Sequence, residues 1–429
     1  MEWLALGITV LFLALLAIGV PVYSAMGASA LLGIYLLEGG VRILEKTTLI
    51  AYNALDSFVL LAVPLYILAG TLLQQTGMSD KLFVFTASLV SKLRGGLGVA
   101  TIIACALFSA VSGSSIATAA TIGLVAVPAL TDAGYSLSRA GGLIAAGGTL
   151  GILIPPSIAL LIYGVLTDQS IGALFVAGVV PGIILSALMA LYVVIVNPRD
   201  PGATSPGLRG VLRAFLDAGP ILLLPILIFA GLYTGIATAT EVAALAVVYI
   251  VVVGLAMRTL GWRQIVQAGL AATHSSVMIF MLIAFGSLMA YFLTVTGVPQ
   301  RLTALIGGSD LGFFGVVTLM IVFYVVLGTF LEELSMMLIT IPILYPVATA
   351  VGIDPLAFGI FVVLAIQVAQ ISPPVGLVLF AIAQIGDIPF NQISRSIIPY
   401  VVLMVLMMYA VCYWQGMATW LPRTMDYGK

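Results

Sequence analysis

Long apolar stretches, separated by short polar or glycine- and proline-rich segments, cover almost the whole sequence. Ten of these stretches are predicted to cross a membrane as helices, for which about 20 apolar residues suffice. They cover residues 3–20, 22–37, 53–75, 140–167, 171–196, 216–233, 241–257, 274–295, 355–386 and 397–420. The pattern predicts an all-α polytopic membrane protein.

Two further apolar stretches, residues 97–131 and 313–350, are too long for one span. As continuous helices they would measure about 50 Å, against a hydrocarbon core of about 30 Å. Each stretch therefore has to fold back on itself, either as two short spans or as a re-entrant hairpin. Both arrangements return the chain to the side from which it came.

The composition agrees with this class. Hydrophobic residues make up 62% of the chain and charged residues 7%, whereas soluble domains contain about 25% charged residues. The net charge of −1 gives no reason to expect a nucleic-acid partner. Cys105 and Cys412 lie far apart in apolar stretches, and we expect both to be buried small side chains. Glu2 replaces the positive start of a signal peptide, so the first stretch is predicted to be a retained span.

The distribution of lysine and arginine predicts the orientation in the membrane. With the N-terminus outside, ten of these residues fall in inner loops and five in outer ones. Positive charge concentrates on the cytoplasmic side, so both termini should face the periplasm and the hydrophilic segment 197–213 the cytoplasm. The ten inner residues are Lys81, Lys92, Arg94, Arg139, Arg199, Arg209, Arg213, Arg258, Arg263 and Arg395. The five outer ones are Arg42, Lys46, Arg301, Arg423 and Lys429.

Two parts of the chain repeat one another. Residues 72–82 match residues 292–302 at an offset of 220. Each match is followed by one of the two overlong apolar stretches. Small residues interrupt these stretches near the middle, at 112–115 and at 327–330, an offset of 215. The same order of features and nearly the same spacing in both parts predict an internal structural repeat.

The repeat continues through a glycine-led turn and ends in a helix that is interrupted by two prolines. The turns begin at Gly134 and Gly352, and the proline pairs are 155–156 and 373–374, both at an offset of 218. In the predicted topology the span before the first hairpin runs inward and the span before the second runs outward. The repeats are therefore predicted to be inverted, which is typical of secondary transporters.

These features divide the chain into five segments. They are N-terminal scaffold spans (1–52), the first repeat (53–170, with hairpin 97–131 and broken helix 140–167), central scaffold spans (171–263), the second repeat (264–386, with hairpin 313–350 and broken helix 355–386), and a C-terminal span and tail (387–429).

The interruptions in the helices predict a polar site inside the membrane. A proline pair removes two N–H donors and leaves carbonyl groups unpaired at membrane depth. Unpaired carbonyls are costly there unless water, an ion or a solute occupies the site. Hairpin tips likewise point helix ends towards the middle of the membrane, where N-termini suit anions and C-termini suit cations. We expect two tips and two broken helices to form one central site.

The candidate residues for this site are small, hydroxyl-bearing or located next to the prolines. Their alternative role is ordinary small-residue packing, or a proline kink without a ligand. They are Ser112, Gly113, Ser114 and Ser115 at the first tip, Thr149, Pro155, Pro156 and Ser157 at the first break, Gly328 at the second tip, and Ser372, Pro373, Pro374 and Gly376 at the second break.

Few charged residues lie inside apolar stretches. Glu332 and Glu333 follow the second tip, and acidic residues in spans are functional candidates because burying them is costly. We favour Glu332, which lies one helical turn after Gly328; the alternative is that one of the pair simply faces a wet vestibule. Glu241 is predicted to cap a helix. His274, the only histidine, is predicted to be structural and not a proton relay.

Seven motifs in order resemble the large membrane subunit of tripartite ATP-independent periplasmic (TRAP) transporters, the DctM-like family. The resemblance covers essentially the whole chain. The motifs are GVPV (19–22), VPLYILAG (63–70), SGSSIAT (112–118), GILIPPSI (151–158), GIATATEVA (235–243), PILYP (342–346) and SPPVG (372–376).

The resemblance implies an elevator-type, sodium-coupled importer of a small organic anion in the bacterial inner membrane. The implied partners are membrane lipid, a separate small four-helix membrane subunit and a periplasmic solute-binding protein. Sodium sites would fall on Ser112, Gly113, Ser114, Ser115, Gly328, Glu332, Ser372, Pro373 and Pro374. Substrate contacts are expected at Ser115, Thr149, Pro156, Ser157 and Gly376. Glu332 stands where the family usually has aspartate, so the detailed geometry there is left open.

Other functions remain as alternatives. One is a stand-alone ion-coupled carrier of organic anions that needs no binding protein. An intramembrane enzyme has no support from HExxH, GxSxG or paired-aspartate motifs, and inverted repeats with broken helices favour alternating access over a channel. The sequence does not distinguish among carboxylates, sulfonates and sugar acids as the solute.

Overall fold

The computed structural model describes residues 2–39, 42–197, 207–308, 311–374 and 376–425. Helices are the only regular secondary structure within these ranges. Seven helices of the described part are long and apolar enough to cross a membrane alone, or up to nine if two bent helix pairs are counted. The predicted all-α polytopic class is confirmed.

The helices of the first half are α1 (Glu2–Ala17), α2 (Val22–Glu38), α3 (Arg42–Leu55), α4 (Ala62–Gln75), α5 (Met78–Val90), α6 (Gly96–Ser112), α7 (Ser115–Asp132), α8 (Leu137–Thr149), α9 (Ile158–Thr167) and α10 (Ile171–Val196). Two short 3-10 helices, Phe58–Leu61 and Leu150–Ile152, lead into α4 and extend α8.

The second half contains α11 (Gly207–Tyr233), α12 (Ala239–Ala256), α13 (Trp262–Val295), α14 (Val298–Gly307), α15 (Gly312–Leu327), α16 (Glu333–Ala350), α17 (Pro355–Ile371), α18 (Leu377–Ile385), α19 (Phe390–Ser396), α20 (Ile398–Tyr413) and α21 (Gly416–Thr424).

The internal repeat is visible in the backbone. Gly77 and Gly297, the matched glycines that precede α5 and α14, both have left-handed φ angles, 64° and 77°. The matched turn glycines Gly134 and Gly352 have φ angles of 91° and 87°. Such angles favour glycine, which has no Cβ. Both proline pairs contain a cis peptide bond. The matched sequence positions therefore have the same local structure.

The two overlong apolar stretches fold back as predicted. Residues 97–131 form α6 and α7, which are joined at Gly113 and Ser114, and residues 313–350 form α15 and α16, which are joined by residues 328–332. The two predicted broken helices are the α8–α9 and α17–α18 pairs, each interrupted at its prolines.

Helices of the first repeat pack against helices of the second. The helix after the first break, α9, packs against α16 of the second hairpin. Its counterpart α18 packs against α7 of the first hairpin, and the matched helices α4 and α13 lie side by side. Matched elements thus make matched contacts, as expected for an internal structural repeat.

Several predicted boundaries differ from the structure. The predicted span 53–75 is interrupted, because α3 ends at Leu55 and a 3-10 helix starts at Phe58. The predicted span 216–233 begins earlier, at Gly207, so residues 207–213 are helix where the sequence predicted loop. Arginine is a good helix former, and the exposed Arg209 and Arg213 extend α11 beyond its apolar part.

The other differences have similar causes. Helix α13 begins at Trp262 and includes polar turns before the predicted span 274–295. The predicted span 397–420 is two helices, α20 and α21, bent by 60°. Residues 198–206, with Arg199, and 426–429, with Lys429, lie outside the described residues.

Packing divides the helices differently from the predicted segments. Helix α10, predicted to belong to the central scaffold spans, packs against α6, α9, α17 and α20. Helices α11 and α12 of the same segment instead pack against α5 and α4. The segment boundaries stay a prediction, but α10 lies among the hairpin and broken-helix elements.

Candidate functional site

The first hairpin tip is a tight turn with three hydroxyl groups. Gly113, with φ 59°, ends α6 and donates its N–H to a carbonyl of that helix. Ser114 caps α7 by accepting a backbone N–H at 3.4 Å. The hydroxyls of Ser112 and Thr118 lie 2.8 Å apart. Ser115 Oγ is buried and has no hydrogen-bond partner in the described part of the chain. The tip therefore presents one buried oxygen that none of the described residues satisfies.

The first tip lies directly against the first break. A Cβ placed on Gly113 would lie 3.2 Å from the carbonyl oxygen of Pro156. A Cβ on Gly151 would lie 2.9 Å from Ser109 Cβ, since α8 also packs tightly on the hairpin. Glycine is needed at both positions because the backbones approach each other so closely.

The hydroxyls predicted at the first break are engaged within the protein. Ser157 is fully buried, donates to the carbonyl of Ile152 at 2.5 Å and accepts the N–H of Leu160 at 3.2 Å. Thr149 is fully buried and donates to the carbonyl of Ala146 at 2.8 Å. Ser157 thus spans the proline break and caps α9.

The second tip carries the two acidic residues. Glu332 precedes the first turn of α16 and accepts the hydroxyl of Ser335 at 3.2 Å. Glu333 accepts a hydrogen bond from the amide of Gln370, on α17. A Cβ on Gly328 would lie only 2.1 Å from Ala369 Cβ, so the tip rests directly on α17.

The second break is more open than the first. Pro373 and Pro374 are exposed, whereas the equivalent prolines of the first break are buried. Ser372 is buried, and Gly376 has a left-handed φ of 48° at the start of α18. The position equivalent to Ser157 is Val375, which lies outside the described residues and has no hydroxyl to span the break.

Both tips face one cavity of about 510 Å³. Among the described residues that line it, Glu332 and Glu333 are the only charged ones, and none is a lysine or arginine. The lining comes from α4 (Ile67, Gly70, Thr71, Gln74), the first tip and α7 (Ser112, Gly113, Ser114, Ile116, Ala117, Ala120, Thr121), α9 (Ile158), α13 (Ser275, Met278, Ile279) and the second tip (Glu332, Glu333, Leu334).

A much smaller void, about 10 Å³, lies between the second tip and α17. Gly328, both glutamates and Gln370 are on its wall. That volume is close to the minimum that holds one water molecule. Gln370 Oε1 is buried without a hydrogen-bond partner in the described part of the chain.

Among the described residues, each tip region therefore has a buried oxygen without a hydrogen-bond partner, Ser115 Oγ at the first and Gln370 Oε1 at the second. Buried polar atoms are almost always satisfied, so these two oxygens are candidate ligands of a bound ion. Hard cations bind oxygen ligands of these kinds. The described residues contain no group of three or more histidine, cysteine, aspartate or glutamate side chains of the sort that transition metals use.

The structure brings only part of the predicted set together. Ser112, Gly113, Ser114 and Glu332 line the large cavity, and Gly328 lines the adjacent void. The residues that line neither space are Ser115, Thr149, Pro155, Pro156, Ser157, Ser372, Pro373, Pro374 and Gly376.

Sequence reasoning missed the contribution of the neighbouring helices. Thr71 and Gln74 of α4 and Ser275 of α13 line the cavity. The only signal was that they are polar residues in apolar helices. His274, next to Ser275, is exposed and does not line the cavity. Glu241 forms the predicted cap, a capping box with Thr238.

Two repeats that each carry a hairpin and a proline-broken helix, with both hairpin tips facing one cavity, are typical of a secondary transporter. The chain belongs to the family described as "Tripartite ATP-independent periplasmic transporter, DctM component", whose profile matches residues 9–417. The resemblance inferred from the motifs is confirmed. The family consists of inner-membrane transporter permeases, so the chain is a transport subunit and not an enzyme.

Relatives extend over the whole chain. It is 32% identical over 440 residues to the C4-dicarboxylate TRAP transporter large permease protein DctM of Vibrio cholerae, covering 96% of both chains. It is 32% identical over 429 residues to the sialic acid TRAP transporter large permease protein SiaM of the same species, covering 97% of this chain and 98% of SiaM. The YdaH transporter of Alcanivorax borkumensis has a similar fold, with a TM-score of 0.57, 16% identity, and 99% and 100% coverage.

Proposed function

We propose that the chain is the translocating subunit for sodium-coupled uptake of a small organic anion across the bacterial inner membrane. A periplasmic binding protein would deliver the solute, and a separate small four-helix membrane subunit would complete the transporter. The observation that carries the proposal is the shared cavity, where both hairpin tips and two glutamates meet.

The cavity has the size of a small-molecule site. Its volume of about 510 Å³ lies within the range of about 300–1,000 Å³ that ligand pockets occupy. The two relatives compared above are named for C4-dicarboxylate and sialic acid, both of them carboxylates. A carboxylate-bearing solute is therefore the substrate class that we infer.

An anion cannot bind this cavity unless the negative charge of its glutamates is offset. The part of its lining that the structure describes has two glutamates and no basic residue. Two like unit charges 4 Å apart repel by about 4 kcal/mol at an effective dielectric constant of 20. Sodium ions bound beside the glutamates would offset that repulsion. The N-terminus of α7, at the first tip, supplies backbone N–H groups that favour an anion. Coupling follows because the solute binds well only after the cations do.

The unpartnered oxygens suggest where the sodium ions bind. At the first tip the ligands would be Ser115 Oγ and backbone carbonyls of the predicted segment 112–115. At the second they would be Gln370 Oε1, the carboxylate of Glu332 and carbonyls near Gly328, with segment 372–374 close by. Glu333, which lines the same void, joins the predicted set.

Motion and orientation complete the proposal. The hairpins and broken helices, which pack on one another, would move together as an elevator against the α4 and α13 side of the cavity. Both chain termini would face the periplasm, as the distribution of lysine and arginine predicts.

Uptake in proteoliposomes tests this function. The chain is reconstituted with its small subunit, and the binding protein loaded with a radiolabelled carboxylate solute is added outside. An inward sodium gradient should drive accumulation, and Glu332→Gln should reduce it at least about tenfold, which corresponds to about 1.4 kcal/mol. Glu45→Gln is the matched control, since Glu45 is exposed and lies outside the cavity.

Equal uptake when potassium replaces sodium, or normal uptake by Glu332→Gln, would contradict the proposal. Uptake of free solute at the same rate without the binding protein would instead support the stand-alone carrier.

A further inference from the structure

A second polar cavity, of about 410 Å³, lies away from the hairpin tips. It is bounded by the start of α8, the end of α10, and α19 with the start of α20. Arg139 and Arg395 both line it, and among the described residues no acidic side chain does. We refer to it as the arginine cavity. Two positive charges on one concave surface make it a candidate site for an anion.

Within the described part of the chain, no carboxylate pairs with either arginine. Both side chains are exposed, and in the described ranges neither Arg139 nor Arg395 forms an ion pair or a side-chain hydrogen bond. A hydrogen bond joins α19 to α8 beside the two arginines: the hydroxyl of Ser396 donates to the carbonyl of Ser138 at 2.7 Å. A Cβ on Gly142 would lie 2.2 Å from Ser396 Oγ, so α8 and α19 meet closely. The packing of α8 against α19 therefore fixes the shape of the arginine cavity.

The second repeat provides an internal comparison. Ser136, just before α8, corresponds at the offset of 218 to Asp354, just before α17. Asp354 caps its helix by accepting the N–H of Leu356 at 2.9 Å, and it lies 3.6 Å from the guanidinium of Arg423. Ser136 makes no side-chain cap bond. At the start of α17, Asp354 therefore lies between the helix N-terminus and an arginine. At the matched start of α8, the described residues include two arginines but no such carboxylate.

The surroundings of the arginine cavity are apolar. Val196 lines the cavity and is 41% exposed. Exposed apolar residues continue from there on one face of α10 and one face of α20, at spacings of three or four residues. On α10 they are Leu188, Leu191 and Ile195, and on α20 they are Ile398, Val402 and Leu406. A polar, positive cavity at the end of two apolar stripes matches a molecule with an anionic head and hydrocarbon tails.

We propose that the arginine cavity binds the phosphate headgroup of an acidic phospholipid, whose acyl chains lie along the stripes on α10 and α20. The phosphate interacts with Arg139, Arg395 and the free N–H groups at the start of α8, replacing the carboxylate that Asp354 provides in the second repeat. The predicted topology puts this end on the cytoplasmic side, where basic pockets between membrane helices bind acidic headgroups. The site is independent of the solute cavity.

Lipid binding to the purified transporter in detergent tests this site. The unfolding temperature is followed while dioctanoyl phosphatidylglycerol, dioctanoyl phosphatidylcholine or inorganic phosphate is titrated. Phosphatidylglycerol should stabilise the wild type more than the other two probes do. Its affinity should fall by about fivefold for each arginine replaced in Arg139→Gln and Arg395→Gln. Arg213→Gln, an exposed arginine outside the arginine cavity, should bind like the wild type.

Three results would overturn the proposal: equal stabilisation by phosphatidylcholine, saturation by inorganic phosphate at the same concentration, or the same loss in Arg213→Gln. Should the arginine variants fail to fold, the wild type labelled with a photoactivatable phosphatidylglycerol gives the answer. Cross-links should concentrate in residues 188–197 and 398–406, and labelling spread evenly over all lipid-facing helices would refute the site.

Discussion

Two serines show how the same side chain takes different roles in the two parts of the site. Ser157 is buried and uses its hydroxyl both as donor and as acceptor, so it holds the first proline break together. Ser115 is equally buried, but its hydroxyl has no partner in the described residues. The first arrangement stabilises the fold, whereas the proposed function makes the second hydroxyl a ligand of sodium.

This difference predicts opposite effects of two matched substitutions. Ser157→Ala should lower the free energy of unfolding by about 1–3 kcal/mol, because it leaves the Ile152 carbonyl buried without a partner and removes a helix cap. Ser115→Ala should leave stability without sodium nearly unchanged, because no hydrogen bond is lost, and should weaken sodium binding. Denaturant unfolding in detergent, with and without sodium, measures both quantities. A larger loss of sodium-free stability in Ser115→Ala than in Ser157→Ala would contradict this assignment.

At the scale of elements, a glycine without a side chain lets each hairpin tip pack directly against a broken helix. Gly113 lies against the Pro156 carbonyl, and Gly328 lies against Ala369 of α17. The second contact also places Glu333 where it accepts a hydrogen bond from Gln370. The position of the acidic residues thus depends on how closely a small residue lets two helices approach.

Gly328→Ala should therefore displace the second tip. The added methyl group would lie 2.1 Å from Ala369 Cβ, so the tip must move away from α17 and the bond from Gln370 to Glu333 is disrupted. Uptake should fall by about tenfold or more, since small displacements at a binding constellation are costly. The double variant Gly328→Ala/Ala369→Gly should recover part of the activity, because it removes the contact between the two Cβ atoms and leaves only a tight contact of 3.0 Å with the Cα of residue 369. Gly269→Ala, whose new Cβ meets open space in α13, is the control.

Failure of the double variant to improve on Gly328→Ala would show that the contact does not set the position of the tip. A comparable loss in Gly269→Ala would point to a general effect of added volume.

At the scale of the whole molecule, the repeat in the sequence predicted much of the fold. Matched glycines such as Gly77 and Gly297 could be identified because left-handed turns restrict the residue type. The hairpins followed from length alone, since 35 apolar residues do not fit one span. Boundaries such as the early start of α13 were missed because helix continues through polar turns that hydropathy excludes.

Only part of the candidate site could be predicted from the sequence, because most of the residues predicted at the two breaks line neither cavity. Spacing located both tips and both breaks, and Ser112 and Glu332 do reach one cavity. The sequence does not show that Ser157 donates to the Ile152 carbonyl or that Gln370 donates to Glu333. Both hydrogen bonds depend on the three-dimensional fold. Gln74 of α4 lines the cavity because α4 packs beside the hairpin tips. No local sequence pattern predicts that contact between distant segments.

The central claim is that sodium ions bind between the hairpin tips and the broken helices. Sodium-dependent stabilisation of the purified transporter tests it most directly, with potassium keeping ionic strength constant. At a concentration 100 times its dissociation constant, an ion that binds only the folded state stabilises it by about 2.7 kcal/mol. Sodium should therefore raise the unfolding temperature of the wild type saturably, and much less that of Glu332→Gln. An equal rise with potassium, or an undiminished rise in Glu332→Gln, would contradict the account.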